Sequence, residues 1–228
     1  MQYHAETSTS GPLTKLDTAS LTLTCARLMN SFLPNLRHIN AYIHGQSRVS
    51  WKIIKDCCNT LETIQVKEFA ESSAYEFLAV NFYMFPRLEE FTYTLAASIS
   101  ALEIYPVLFK WLPPVQTSIM SYGLKILNMS LYLIHPAGNP AHNSWVAKLT
   151  AAAANSVWVD LDNILAKRHY FPALRRVSIT LKVTRIKKGT VDSDALQKEV
   201  ERALLRTFSA SIKASVPLEF TADLGIRT

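Results

Sequence analysis

One short pattern returns along this chain and limits what it can fold into. It reads leucine, two residues, apolar, one residue, apolar. The copies are Leu36, Ile39, Ala41; Leu61, Ile64, Val66; Leu88, Phe91, Tyr93; Leu124, Leu127, Met129; and Leu174, Val177, Ile179. The closing alternation is the period of a strand that buries one face. Three copies share an entry as well: Leu33-Pro34-Asn35-Leu36, Phe85-Pro86-Arg87-Leu88 and Phe171-Pro172-Ala173-Leu174. Proline disfavours helix in the residue before it and supplies no backbone donor, so it suits a junction between helix and strand.

The leading leucines lie 25, 27, 36 and 50 residues apart. The first two intervals match a strand-plus-helix leucine-rich repeat. The last two need insertions or a further strand. The asparagine that many such repeats carry three residues after the last apolar position is absent, its place taken by His44, Phe69, Ala96, Tyr132 and Lys182. A buried asparagine ladder is therefore not expected, and the backbone there must find other partners.

Helical periodicity fills several of the intervals. Ser50 is placed to cap a helix through Trp51, Ile54 and Cys58, and Ser72 or Ser73 one through Tyr75, Leu78 and Phe82. Val157 to Lys167 puts Val157, Leu161, Ile164 and Leu165 on one side. Asp192 precedes a helix with Leu196, Val200, Ala203, Leu204 and Phe208 at a period near 3.6. Further strands are expected at Leu21 to Cys25, through Leu181 to Thr184, and near Leu218 to Thr221. Helix alternating with strand argues for a parallel sheet. The expected class is α/β: an irregular leucine-rich-repeat-like array with a curved, mostly parallel sheet and helices on its outer face. A polar segment, 1–15, precedes the domain at 16–228. The loop around 135–143, with Pro136, Gly138, Asn139 and Pro140, is read as an insertion, or else as a boundary between two halves.

Composition agrees with a packed domain. Apolar residues make up 49% of the chain and charged ones 18%, which supports a core and argues against wholesale disorder. A net charge of +6 permits attraction to acidic surfaces without assigning a function. Cys25, Cys57 and Cys58 are too few and too badly placed for a disulfide framework. They read as reduced thiols of a cytoplasmic or nuclear protein. The opening Met1 to Ser10 is polar and lacks a signal-peptide core. The apolar stretch from Leu95 to Leu133 is interrupted by Glu103, Pro106, Lys110, Pro113 and Pro114, so it does not read as a membrane span.

The strand entries resemble the leucine-rich-repeat-like region of fungal F-box proteins. The carriers are Leu33-Pro34-Asn35-Leu36-Arg37-His38-Ile39, Cys58-Asn59-Thr60-Leu61-Glu62-Thr63-Ile64 and Phe85-Pro86-Arg87-Leu88-Glu89-Glu90-Phe91. The pair Trp158-Val159-Asp160-Leu161-Asp162 and Phe171-Pro172-Ala173-Leu174-Arg175-Arg176-Val177 is similar to the later part of those chains. The resemblance covers most of residues 20 to 220 and implies substrate recognition within ubiquitin ligases. Met1 to Leu33 shows no F-box entry of the Leu-Pro-x-Glu type, so adaptor docking is not among the expectations.

No nucleophile elbow, phosphate loop, dinucleotide fingerprint or His-Glu-x-x-His motif is present, and no catalytic residue, cofactor or metal is expected. His135 and His142 flank one loop without nearby ligands to complete a metal site. Cys57 and Cys58 precede a repeat strand, which favours packing over nucleophilic chemistry. Asn128-Met129-Ser130 matches a glycosylation acceptor, but it falls in an expected strand. From Lys167 to Lys188 the chain carries Lys167, Arg168, Arg175, Arg176, Lys182, Arg185, Lys187 and Lys188 without an acidic residue. This run is either a solvated sheet edge or a contact for phosphate or an acidic peptide.

If the leucine pattern points inward, the residues between point outward. The outward columns are Arg37, Glu62, Glu89, Lys125, Arg175; His38, Thr63, Glu90, Ile126, Arg176; Asn40, Gln65, Thr92, Asn128, Ser178; and Tyr42, Lys67, Thr94, Ser130, Thr180. Nearly all are polar, as on the open face of a repeat array that binds other molecules. The expected function is a non-enzymatic protein-interaction module. Its expected partner-binding residues are Arg37, His38, Asn40, Glu62, Gln65, Glu89, Glu90, Thr92, Lys125, Arg175 and Arg176. The alternative is a nucleic-acid-binding protein using 167–188.

Overall fold

The computed structural model describes residues 15–17, 33–44, 53–70, 84–98, 123–134, 147, 151, 153, 156–187 and 193–227. Among the described residues seven strands form one sheet: β1 (Lys15–Asp17), β2 (His38–His44), β3 (Thr63–Ala70), β4 (Glu90–Ser98), β5 (Ile126–Ile134), β6 (Arg176–Lys187) and β7 (Leu218–Arg227). Their spatial order is their chain order, and every neighbouring pair is parallel. Among the described strands the sheet does not close, and β1 and β7 stand at its two ends. Three described helices follow β5 in the chain: α1 (Ser156–Leu165), α2 (Ser193–Thr207) and α3 (Ser209–Lys213).

The proline entries act as tight turns. The Leu36 amide donates to the Leu33 carbonyl (3.1 Å), Leu88 to Phe85 (3.1 Å) and Leu174 to Phe171 (3.2 Å). Proline stands second in each four-residue turn, where its fixed φ is already correct. The first residue of each turn is buried, as is the leucine that closes it. The β3 entry has no proline. There a helical turn at 53–56 runs into Cys57, whose carbonyl accepts from the amides of Thr60 (3.0 Å) and Leu61 (3.2 Å). The Thr60 hydroxyl then bridges the carbonyls of Leu36 (2.8 Å) and Cys57 (3.2 Å), tying one entry to the next.

Strand alternation decides which face is wet. Leu36, Leu61, Leu88, Leu124 and Leu174 are all at most 3% exposed. In register behind them run Ile39, Ile64, Phe91, Leu127 and Val177, then Ala41, Val66, Tyr93, Met129 and Ile179, all buried. Parallel sheets are usually covered on both faces and read as continuous apolar runs. This one alternates, and among the described residues its core lies on one side. α2 packs on that side through Leu196, Val200, Ala203 and Leu204. Phe208 follows α2 and stands between Trp158 of α1 and Phe220 of β7, with ring centroids 6.1 and 5.5 Å away.

β3, β4, β5 and β6 run straight past the position at which leucine-rich repeats carry the asparagine that this chain lacks. His44, Phe69, Ala96, Tyr132 and Lys182 pair in register inside the sheet. The ladder thus supplies the backbone partners that a turn would have needed. One residue ahead of that place Leu95, Leu131 and Leu181 form one more buried row.

Several expectations change against the structure. The first strand is Lys15–Asp17, at the border of the segment expected to be merely polar. α1 buries Trp158, Leu161 and Leu165, leaves Ile164 half-buried and exposes Val159. Asp162 is also buried on α1, and its Oδ2 and Oδ1 accept from the amides of Ala210 (3.0 Å) and Ser211 (2.7 Å) at the start of α3. The Ser211 hydroxyl donates back to the Asp162 carbonyl (3.0 Å). α3 ends with Ser215 at φ 55° in the left-handed region, its amide on the Ile212 carbonyl and the Val216 amide on the Ser211 carbonyl, both at 3.0 Å. This helix stop turns the chain into Pro217 and β7 without a repeat-type entry. Ser50, Trp51, Asp192, the stretches 21–25 and 72–82, and the loop 135–143 lie outside the described residues. Among the described residues no helix is long and apolar enough to cross a membrane.

Candidate functional site

The polar face is built row by row from the strand register. The first row sits just ahead of the strands and is held by the backbone. The Arg37 carbonyl accepts from the amides of Glu62 (2.8 Å) and Thr63 (3.0 Å). Glu62 does the same for Glu89 and Glu90, Glu89 for Lys125 and Ile126, and Lys125 for Arg175 and Arg176. Arg37, Glu62, Glu89, Lys125 and Arg175 therefore occupy equivalent places on successive strands. Two exposed ion pairs link them, Arg37 Nη1 to Glu62 Oε1 at 3.2 Å and Lys125 Nζ to Glu89 Oε1 at 2.7 Å. Pairs this open to solvent contribute at most about 1 kcal/mol each, so they shape the charge pattern more than the stability.

The second row is Lys15, His38, Thr63, Glu90, Ile126 and Arg176. Ile126 is its one apolar residue. The third is Asp17, Asn40, Gln65, Thr92, Asn128, Ser178 and Glu219. The fourth is Tyr42, Lys67, Thr94, Ser130, Thr180 and Thr221. All eleven residues expected to bind a partner fall in the first three rows. Arg37, Glu89, Arg175 and Arg176 are exposed; His38, Asn40, Glu62, Gln65, Glu90, Thr92 and Lys125 are half-buried between neighbouring strands.

The structure does not gather these eleven into one compact site. Arg37 and Arg175 stand four strand spacings apart, about 19 Å at roughly 4.8 Å per strand. A ligand touching both ends must be extended. Pairing inside the face was not anticipated from sequence. Lys67 Nζ donates to the Tyr42 hydroxyl at 3.2 Å and lies 5.0 Å from the ring centroid. Arg176 Nη2 donates to Asn128 Oδ1 (3.3 Å), and Asn128 Nδ2 donates to Thr92 Oγ1 (3.1 Å). Cross-strand neighbours of opposite charge or matched polarity were readable once the rows were aligned.

The basic run from Lys167 to Lys188 divides on folding. Arg168 Nη1 reaches the Leu174 carbonyl at 3.5 Å, across the turn that enters β6. Arg175 and Arg176 are exposed on the polar side, and Lys182 lies 6.0 Å from the Tyr132 ring centroid. Arg185 and Lys187 belong to β6, and Lys188, like His135 and His142, lies outside the described residues.

Cys57 does not have the character of a nucleophile. It is buried, and burial pushes its thiol up to about 11, with the negative charges of Asp56 and Cys58 adding to the effect. At pH 8 that thiol stays almost wholly protonated, whereas reactive cysteines sit in partly exposed, electropositive surroundings. Alkylation of the folded protein with iodoacetamide at pH 8 is expected to mark half-buried Cys58 at least tenfold faster than Cys57. Peptide mass mapping reads this ratio. Equal rates would place Cys57 at the surface.

Comparison with protein-family models, with curated proteins and with solved structures returns no match.

Proposed function

We propose that this chain is a non-enzymatic protein-interaction module, a leucine-rich-repeat-like array whose polar sheet face docks a partner. The observation that carries the reading is a parallel sheet whose core, among the described residues, lies on one side. Strands in strict chain order bury the same leucine-led rows and turn polar rows outward in register. Repeat arrays bind through such faces, because each repeat adds one strand to a continuous surface. The spread of the polar residues over about 19 Å favours a macromolecule over a small ligand. Curvature of the sheet toward that face belongs to the same proposal.

Substrate recognition of the kind found in fungal F-box proteins is the biological role proposed, on the strength of the repeat entries and the Trp158 to Asp162 stretch. Docking to the ligase adaptor is not part of it. Action in the cytoplasm or nucleus fits the free thiols of Cys57 and Cys58.

The test is affinity purification of the tagged protein beside a variant with Arg37, Glu62 and Glu89 all changed to alanine. These side chains are exposed or half-buried, so the variant should melt as the parent does. A specific partner recovered with the parent should fall at least tenfold with the variant. Full retention of that partner by a folded variant sinks the assignment of the face.

A further inference from the structure

We propose that the β5–β6 part of the polar face takes an acidic peptide segment of a partner protein, with Arg176 as the oriented contact and Arg175 beside it. This rests on the reading of the polar face as a binding surface and adds the chemistry of its occupant.

Charge complementarity carries the argument. The chain from Lys167 to Lys188 contains no acidic residue, and the net charge of the protein is +6. Arg175 and Arg176 are adjacent and both exposed, and both amides donate to the one carbonyl of Lys125, at 2.8 and 3.2 Å. The first row is otherwise largely neutralised: Arg37 faces Glu62 and Lys125 faces Glu89. Arg175 has no carboxylate partner among the described residues. The local positive excess therefore lies at this end of the row.

Arg176 is also aimed. Asn128 holds one of its terminal nitrogens, and Thr92 holds Asn128, so a chain of hydrogen bonds spans β4, β5 and β6. A guanidinium fixed this way has already lost part of its conformational freedom and still has donors to offer a carboxylate. Its only described carboxylate neighbour is Glu219 on β7, at 4.0 Å with both side chains about half exposed, a weak contact that an incoming carboxylate can displace. Ser130, Ser178 and Thr180 surround the site with small polar groups suited to a peptide backbone. Single-stranded nucleic acid is commonly held by stacking its bases on open aromatic side chains. The ring of Tyr132 on β5 has the Lys182 ammonium 6.0 Å from its centroid, and that of Tyr42 on β2 has the Lys67 ammonium at 5.0 Å.

The experiment is fluorescence anisotropy at low and moderate salt. The probes are a labelled peptide of alternating aspartate and glycine, its asparagine counterpart, and a single-stranded DNA of mixed sequence. The aspartate peptide should bind, weaken with salt, and bind about tenfold less to Arg176→Ala and to Arg175→Ala. Asn128→Ala should weaken it several-fold by releasing Arg176. Glu219→Gln should bind it more tightly, a gain that no folding defect can imitate. Lys198→Ala, on the exposed side of α2, should change nothing. The proposal is overturned by absence of peptide binding at low salt, by binding indifferent to Arg175 and Arg176, or by tighter binding of the DNA through the same two residues. Those failures leave the broader reading intact wherever a captured partner is still lost with the Arg37, Glu62 and Glu89 variant.

Discussion

Replacing Leu61 by alanine is expected to lower the unfolding free energy by about 2–5 kcal/mol, the usual range for emptying a buried leucine site. Leu61 is fully buried between Leu36 and Leu88 in the row that begins each repeat, and its amide is held by Cys57. A cavity there removes packing from two neighbouring entries at once. Leu174→Ala should fall in the same range, since Leu174 closes the Phe171-Pro172 turn and is 3% exposed. Leu205→Ala, at 48% exposure on α2, is the internal control and should change stability by about 0.5 kcal/mol or less. Urea unfolding monitored by circular dichroism measures all three. Similar midpoints for Leu61→Ala and Leu205→Ala would mean that the leucine row is not the core.

The second large effect is expected at Asp162. Changing it to alanine strips the start of α3 of a carboxylate that receives two amides, one of them from fully buried Ser211. Hydrogen bonds to a charged group are worth about 1.5–3 kcal/mol, and a buried donor left without a partner carries its desolvation penalty. A loss of about 2–4 kcal/mol follows for Asp162→Ala. Asp162→Asn keeps one acceptor but turns an amide donor toward another donor, so it should recover less than half of the loss. Ser211→Ala, which removes only the return bond to the Asp162 carbonyl, should cost about 1 kcal/mol. Denaturant midpoints rank the three. A destabilisation by Asp162→Ala no larger than that of Ser211→Ala would show that the carboxylate does not cap α3.

The row structure was legible from the residues because two signals agree. The leucine marks where a strand begins, and the period of two then assigns every later residue to a face. Uneven spacing of the repeats did no harm, since register follows the entry turn and not the distance from the previous one. The polar rows therefore line up in the sheet residue for residue, whereas the ion pairs and the Arg176–Asn128–Thr92 chain inside them follow only from the folded register. β1 escaped because Lys15–Asp17 has three residues, two of them charged, and too little pattern to register as a strand. Asp162 escaped because a carboxylate on an apolar helix side reads as an exception until α3, nearly fifty residues later, supplies the amides. The one sequence hint was its place among Trp158, Leu161 and Leu165 on α1. β7 was shorter in expectation than in the structure because its C-terminal half lacks the leucine-led spacing.

The strict agreement of chain order with strand order has an evolutionary corollary. Each connection closes one loop between adjacent strands, and the entropy of that closure grows only with the logarithm of length. Doubling the interval from 25 residues, between Leu36 and Leu61, to 50, between Leu124 and Leu174, adds about 0.6 kcal/mol. Segments between strands can thus lengthen, shorten or be exchanged while the rows stay aligned. A lineage carrying this architecture can vary its connections freely and still inherit the same surface.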